Sequence, residues 1–183
     1  MAKIGLKYPV YALLGETGAY TGGMNFAKAV KADVKIDNYS GKLYADDGLA
    51  ESDTSFKEGT LTFEVDDLGL SVSSILLGHE FDEEKKIQVS KAGDTAPYVG
   101  FGFYGVRVKN NVKSYVALWL PKVKFGEPSD SFETKGDNAD FKTSTIEGAI
   151  SRLDTGEWRE VGEFETEAEA VTYLKGKAGI VAA

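Results

Sequence analysis

The stretch VKADVKID, residues 30–37, alternates apolar and polar side chains without a break. Val30, Ala32, Val34 and Ile36 form one set, and Lys31, Asp33, Lys35 and Asp37 the other. A period of two cannot make a helical stripe, which repeats every 3.6 residues. It makes a strand with one face in a core and one face in water. TLTFEVD, residues 60–66, repeats the pattern, with Leu61, Phe63 and Val65 inward and Thr60, Thr62 and Glu64 outward. Alternation of this kind commits most of the chain to antiparallel sheet.

Further strands follow from composition and turn chemistry. Residues 98–109 and 112–120 are aromatic-rich and flank Asn110-Asn111, which predicts a tight hairpin because Asn tolerates positive φ. Residues 139–152 and 157–164 predict another strand pair, turning at Asp154-Thr155-Gly156. Two helices are expected. Asp67–Leu77 puts Leu68, Val72, Ile75 and Leu76 on one stripe, with Asp66 or Asp67 as cap and Gly78 at the end. Thr166–Lys177 opens with the capping-box pair Thr166 and Glu169 and carries Ala168, Val171 and Leu174. Two long pieces, 15–25 and 38–58, read as irregular. A loop of about twenty residues in a compact domain is usually functional or mobile. The expected fold class is mostly β, an antiparallel β-sandwich or barrel with one or two α-helices.

The chain has 183 residues, enough for one domain but hardly for two. At 42% hydrophobic and 27% charged it can bury a core of its own. It has no cysteine and one histidine, which excludes disulfide frameworks, thiolate metal sites and multi-histidine metal sites. The formal net charge is −8 with no long Lys/Arg run, so adhesive binding to duplex DNA by counterion release is not expected. The start, MAKIGLKYPVYALLG, is interrupted by Lys7 and Pro9 and does not read as a signal peptide. No stretch approaches the ~18–20 apolar residues of a membrane span. The expectation is a protein made and kept in a cytoplasm.

Motifs for chemistry fail one by one. LYADDGLAESDTSF, residues 43–56, holds Asp46, Asp47, Glu51 and Asp53. An EF-hand register with Gly48 at the sixth position puts Leu43, Ala45 and Asp47 at the first, third and fifth, and Thr54 at the twelfth. Only Asp47 supplies a ligand of the required kind. A looser divalent site at these carboxylates stays open beside a solvated or interface-facing acidic loop. A glycosidase-type pair needs one acid raised by burial, and no such pair is visible. Gly100, Gly102 and Gly105 match GxGxxG, but the sequence after them reads as a hairpin, not the helix that a pyrophosphate site requires. They read as glycines that bend a strand or let aromatic neighbours pack across it. The glycines of 15–23 lack a GK[ST] ending. His79 follows Gly78 without any GxSxG elbow and reads as a capping or surface histidine. The tyrosines and phenylalanines sit at strand spacing without interleaved arginines, which suits core and interface better than base stacking. Neither a cofactor nor a catalytic residue is expected.

Several long blocks resemble one family. They are IGLKYPVYA (4–12), KLYADDGLAESDTSF (42–56), GTLTFEVDDL (59–68), APYVGFGFYGVRV (96–108), ALWLPKVKFGEPSDSFETKG (117–136) and WREVGEFETEAEAVTYL (158–174). In order and over almost the whole chain, they resemble the major tail protein, or tail tube protein, of long non-contractile phage tails. The resemblance implies a tail-tube β-sandwich, hexameric rings, and rings stacked into a hollow tube through which duplex DNA passes without specific binding. It implies a virion location after assembly in the host cytoplasm, with self, a tape measure protein and tail-end proteins as partners and no membrane. It further implies a single tail-tube domain over 1–183, with a long loop at about 38–58 and no C-terminal immunoglobulin-like domain.

Alternation and the implied fold together nominate Lys31, Asp33, Lys35, Asp37, Thr60, Thr62 and Glu64 as lumen-facing. The long loop, with Tyr44, Asp46, Asp47, Glu51 and Asp53, is the candidate for contact between rings or subunits. Two other readings compete: a monomeric β-sandwich binding module for a small ligand or sugar, and a hydrolase using Asp46, Asp47, Glu51 or Asp53. On the tube reading, Asp46→Lys combined with Asp47→Lys leaves the monomer folded, by circular dichroism, and impairs tube growth, by electron microscopy. Normal tubes from that double variant would return the loop to a merely solvated role.

Overall fold

The computed structural model describes residues 2–45, 48–129 and 143–180. In chain order the elements are β1 (Ala2–Leu14), β2 (Tyr20–Asn25), β3 (Ala29–Asn38), β4 (Gly41–Ala45), β5 (Gly48–Asp53), β6 (Phe56–Val65), α1 (Leu70–Leu77), β7 (Glu80–Asp82), β8 (Ile87–Val89), β9 (Val99–Lys109), β10 (Val112–Phe125), β11 (Ser144–Ile150), β12 (Glu160–Phe164) and α2 (Glu167–Ala178). One eight-stranded antiparallel sheet dominates, in the order β2-β1-β9-β10-β11-β6-β3, with β12 also paired to β10. The fold is mostly β with two helices, as the alternation requires.

The sheet curls around an aromatic centre. Phe26, in the short link between β2 and β3, meets the rings of Tyr11, Phe63, Phe101 and Phe125 at 5.3–5.8 Å between centroids. Those rings belong to β1, β6, β9 and β10. β1 and β6 are four steps apart in the sheet, so only a strongly folded-over sheet lets one ring touch both. Edge-on and tilted aromatic contacts of this kind add to what burial alone contributes. Leu61, Phe63, Val65, Ile146 and Ile150 fill the same interior, and Leu76 and Leu77 of α1 close it.

A second, smaller core lies on the opposite face. Ala170, Leu174 and Ala178 of α2 pack on Val10, Ala12, Tyr104, Ala117 and Trp119. Trp119 explains the glycines of β9. A Cβ on Gly100 or Gly102 would come within 3 Å of its ring, so the GxGxxG spacing makes room for an indole.

The β9–β10 hairpin turns as expected, with Asn110 at φ 50° and Asn111 at φ 64°. That is the left-handed pair a type I′ turn needs, which Asn accepts at low steric cost. Helix α2 carries the expected capping box: Glu169 N–H donates to Thr166 Oγ1 at 3.3 Å and Thr166 N–H to the Glu169 carboxylate at 3.1 Å.

Other expectations need correction. The 15–25 segment contains β2, which pairs with the second half of β1. Its YTGGMN sequence has no alternation to reveal it, and Gly23 lies too close to Ala178 of α2 for any side chain. The 38–58 segment is not an irregular loop but a hairpin of β4 and β5, which pair from Gly41↔Asp53 to Ala45↔Gly48. The expected pairing of 139–152 with 157–164 does not occur. β11 and β12 both pair with β10, β12 on its first half and β11 on its last residues.

Helix α1 starts at Leu70, not Asp67, behind Gly69 with no side-chain cap. Asp66 N–H still bonds Lys28 O at 3.1 Å, and Asp66 Oδ1 accepts from Asp67 N–H instead. The tie to Lys28 keeps the chain extended past β6 and delays the helix. Its buried positions are Ser73, Ser74, Leu76 and Leu77, with Leu68, Val72 and Ile75 only partly covered. In α2 the buried line is Ala170, Leu174 and Ala178, while Ala168 is exposed and Val171 half-buried. Val30 faces outward because the β3–β6 register slips between Ala29 and Lys31.

Phe26→Ala is expected to destabilise the fold by about 3–5 kcal/mol in urea denaturation, the cost of emptying a well-packed aromatic site. Val161→Ala, at a position 55% exposed, is expected to change stability by no more than about 0.5 kcal/mol. Equal effects would show that Phe26 does not organise the core.

Candidate functional site

The outward face of β3, β6 and β11 is a polar surface built by regular structure. Paired residues in antiparallel strands point to the same side, so the registers assemble it row by row. Lys31 pairs with Glu64, which pairs with Thr145. The next row is Asp33, Thr62 and Glu147, and the third is Lys35, Thr60 and Ala149, which continues to Lys124 on β10. Asp37 opposite Glu58 closes the face. The structure therefore brings together all seven residues that the alternation nominated: Lys31, Asp33, Lys35, Asp37, Thr60, Thr62 and Glu64. Sequence reasoning missed Glu58, Lys124, Thr145 and Glu147, because only strand order shows that β11 and the end of β10 extend the same face.

Carboxylates outnumber lysines on this face, and two of its lysines are paired with them. Lys31 Nζ lies 2.5 Å from Asp33 Oδ2 and Lys35 Nζ 3.7 Å from Asp37 Oδ1, each pair two residues apart on one strand. The hydrogen bond that Lys31 donates to Asp33 raises the Lys31 pKa above its ordinary value. Glu64 accepts a hydrogen bond from Thr143 Oγ1 at 2.5 Å. Lys124, with Lys122, sits over the Tyr98 ring, 5.5 and 4.7 Å from its centroid. Lysines already facing carboxylates or a ring are poorly placed to grip a row of phosphates.

The acidic stretch yields less. The backbones of Tyr44, Glu51 and Asp53 belong to the β4–β5 hairpin, where Tyr44 pairs with Leu49 and Leu43 with Glu51. Asp46 and Asp47 lie outside the described residues. Among the described residues, no group of three or more His, Cys, Asp or Glu side chains is arranged to hold a metal ion. Among them, too, no helix is long and apolar enough to cross a membrane.

Two surface clefts of about 550 Å³ are present. One lies at a bulge in β1, where Tyr8 takes a left-handed φ of 54°. It is lined by Leu6, Lys7, Phe26 and Tyr104 among others. The Tyr104 hydroxyl donates to Glu167, and burial together with that bond pushes the phenol well above its usual range. The other lies between the Gly15–Gly18 turn and residues 153–157.

His79 corrects the expectation of a surface histidine. Its backbone N–H does bond Ser74 O at the end of α1, at 2.9 Å. Its ring, however, is only 4% exposed, with Nδ1 2.7 Å from Asp94 Oδ2 and Nε2 2.9 Å from Glu127 Oε1. Asp94 and Glu127 are 15 and 48 residues away in sequence, so no local signal announces the cluster.

No known family model matches this chain, and no curated protein matches it.

The mixed-charge face predicts no duplex binding by the unaltered chain, and binding once its carboxylates are replaced by lysines. Asp33→Lys, Asp37→Lys and Glu147→Lys together are expected to produce duplex DNA binding that weakens between about 50 mM and about 200 mM salt. The unaltered chain is expected to show none in the same fluorescence anisotropy titration. Binding by the unaltered chain would show that its lysines are free to engage phosphate.

Proposed function

We propose that this chain is a structural subunit of a phage-type tail tube, forming hexameric rings that stack into a conduit for double-stranded DNA. On this reading it is not an enzyme, and its partners are copies of itself together with a tape measure protein and tail-end proteins. It would serve in the virion after assembly in the host cytoplasm. The observation that carries the reading is the β3–β6–β11 face. It is polar, carries more carboxylates than lysines, and pairs Lys31 and Lys35 with Asp33 and Asp37, so DNA sliding over it would release few counterions and gain little affinity. A lumen wall needs that property. In support, among the described residues the sheet ends on β2 and β3, and β12 pairs only with β10. Unpaired strand edges invite pairing with another chain, and a ring of copies supplies it. The block-by-block resemblance to tail tube proteins points the same way.

On this reading Lys31, Asp33, Lys35, Asp37, Thr60, Thr62 and Glu64 face the lumen. The β4–β5 hairpin, with Tyr44, Asp46, Asp47, Glu51 and Asp53, reaches a neighbouring ring or subunit.

The two clefts of about 550 Å³ favour a second reading, a monomeric module that binds a small ligand. Negative-stain microscopy of the purified protein across a concentration series separates the two. Rings or tubes that grow with concentration are expected. Particles that remain monomeric at the highest concentration, with a ligand saturating one cleft, would establish the second reading instead.

A further inference from the structure

The cluster at the end of α1 does something that neither tube building nor ligand binding requires. A neutral imidazole carries one N–H and can donate one hydrogen bond; only the imidazolium donates from both nitrogens. Both nitrogens of His79 face carboxylate oxygens, at 2.7 Å for Asp94 and 2.9 Å for Glu127. Carboxylates only accept, so both contacts are hydrogen bonds only when the ring is doubly protonated. We infer that His79, Asp94 and Glu127 form a proton-operated clamp, which ties the start of the β10–β11 connection to the end of α1 and releases it when the ring loses its proton.

The groups around the ring make the two arms unequal. α1 contributes no titratable side chain, since its sequence is LSVSSILL. β7 contributes Glu80, which is bound to Lys91 Nζ at 2.6 Å. The 90–98 segment contributes Lys91 and Asp94, and the Lys91 backbone N–H donates to the same Asp94 Oδ2 at 2.8 Å. Asp94 is therefore held from two sides, is 17% exposed, and has its carboxyl held below the usual range, first by that backbone bond and then by His79. Glu127 comes from the stretch after β10, is 69% exposed, and is held by the ring.

When one proton leaves, the remaining N–H stays with Asp94, the nearer and better-anchored acceptor. The bare Nε2 lone pair then faces the Glu127 carboxylate, and the two repel. Release therefore falls on Glu127, beside the backbone bonds of Gly126 to Glu147 O and Ser129 to Thr145 O, at 2.8 Å each. Those bonds secure the edge of β11, at the border of the mixed-charge face.

The direction of the pH effect follows from the charges. The His79 pKa is raised above its ordinary 6.5, first by the Asp94 hydrogen bond, against an opposing desolvation. A raised histidine stabilises the fold fully below about pH 6.5 and loses that contribution as pH rises through the folded value. Asp94 acts at the opposite limit, where acid protonates its carboxylate and removes the partner. The clamp is closed between these limits. It stands whether or not the chain builds a tube.

The chain has a single histidine, so its ring resonances need no assignment. In ¹H–¹⁵N spectra of the folded protein, the ring is expected to carry both protons on the acid side of its titration. Its midpoint is expected to lie above that of the urea-unfolded chain, and Glu127→Gln is expected to lower it. Through the same titration, amide protection at Gly126 and Ser129, corrected for intrinsic exchange, is expected to fall roughly tenfold, the scale of one charge-assisted hydrogen bond. Ala117, in the middle of β10, is expected to keep its protection. A folded midpoint at or below the unfolded one would overturn the clamp. So would a midpoint that Glu127→Gln leaves unmoved, or protection at Gly126 and Ser129 that ignores the titration. Should Glu127→Gln fail to fold, the unaltered protein's midpoint and protection profile decide the matter.

Discussion

The packing of Phe26 against four rings from four strands holds this fold in its curled shape. Tyr11, Phe63, Phe101 and Phe125 lie around it within 6 Å, and no flat sheet could bring β1 and β6 to one side chain. Sheets twist, and a twisted sheet that folds over can bury one face without a second sheet. Everything outside that core follows from the curl. One half of the outward face is covered by α2, seated on Trp119 and Tyr104. The other half, on β3, β6 and β11, stays open and polar.

That division ties stability to function. Along β6, Leu61, Phe63 and Val65 are fully buried while Thr60, Thr62 and Glu64 line the outer face. A one-residue slip in register would exchange the two sets. The buried set locks the register, and the register in turn lays the charges out in rows. The polar face is thus ordered by the core beneath it. Its ion pairs are exposed and screened, and such pairs add little to stability. Their consequence is electrostatic: a face carrying both signs in close alternation has little field beyond a Debye length.

The His79 cluster rests on the same framework. The curl sets Phe125 in the core and so delivers Glu127, two residues later, to the ring of a histidine at the end of α1. A charged trio with low ring exposure is costly unless every proton has an acceptor. Here both ring N–H groups have one. The result is a contact between three distant stretches whose strength depends on one proton.

The sequence by itself determined that the fold is mostly β, the inward set of β6, the Asn110-Asn111 turn, the α2 cap and the grouping of Lys31, Asp33, Lys35 and Asp37. Each of these is encoded locally, by a period of two, by a residue that tolerates positive φ, or by a side chain within reach of its own helix. Only the tertiary structure decided that 38–58 holds a hairpin, that β11 and β12 share β10 instead of each other, and that α1 begins at Leu70. It also decided that Val30 turns outward and that His79 meets Asp94 and Glu127. Those outcomes depend on which strands lie side by side and on contacts between residues far apart in sequence. Long-range pairing is settled by the total burial of the curled sheet, a quantity that no single stretch of the chain carries.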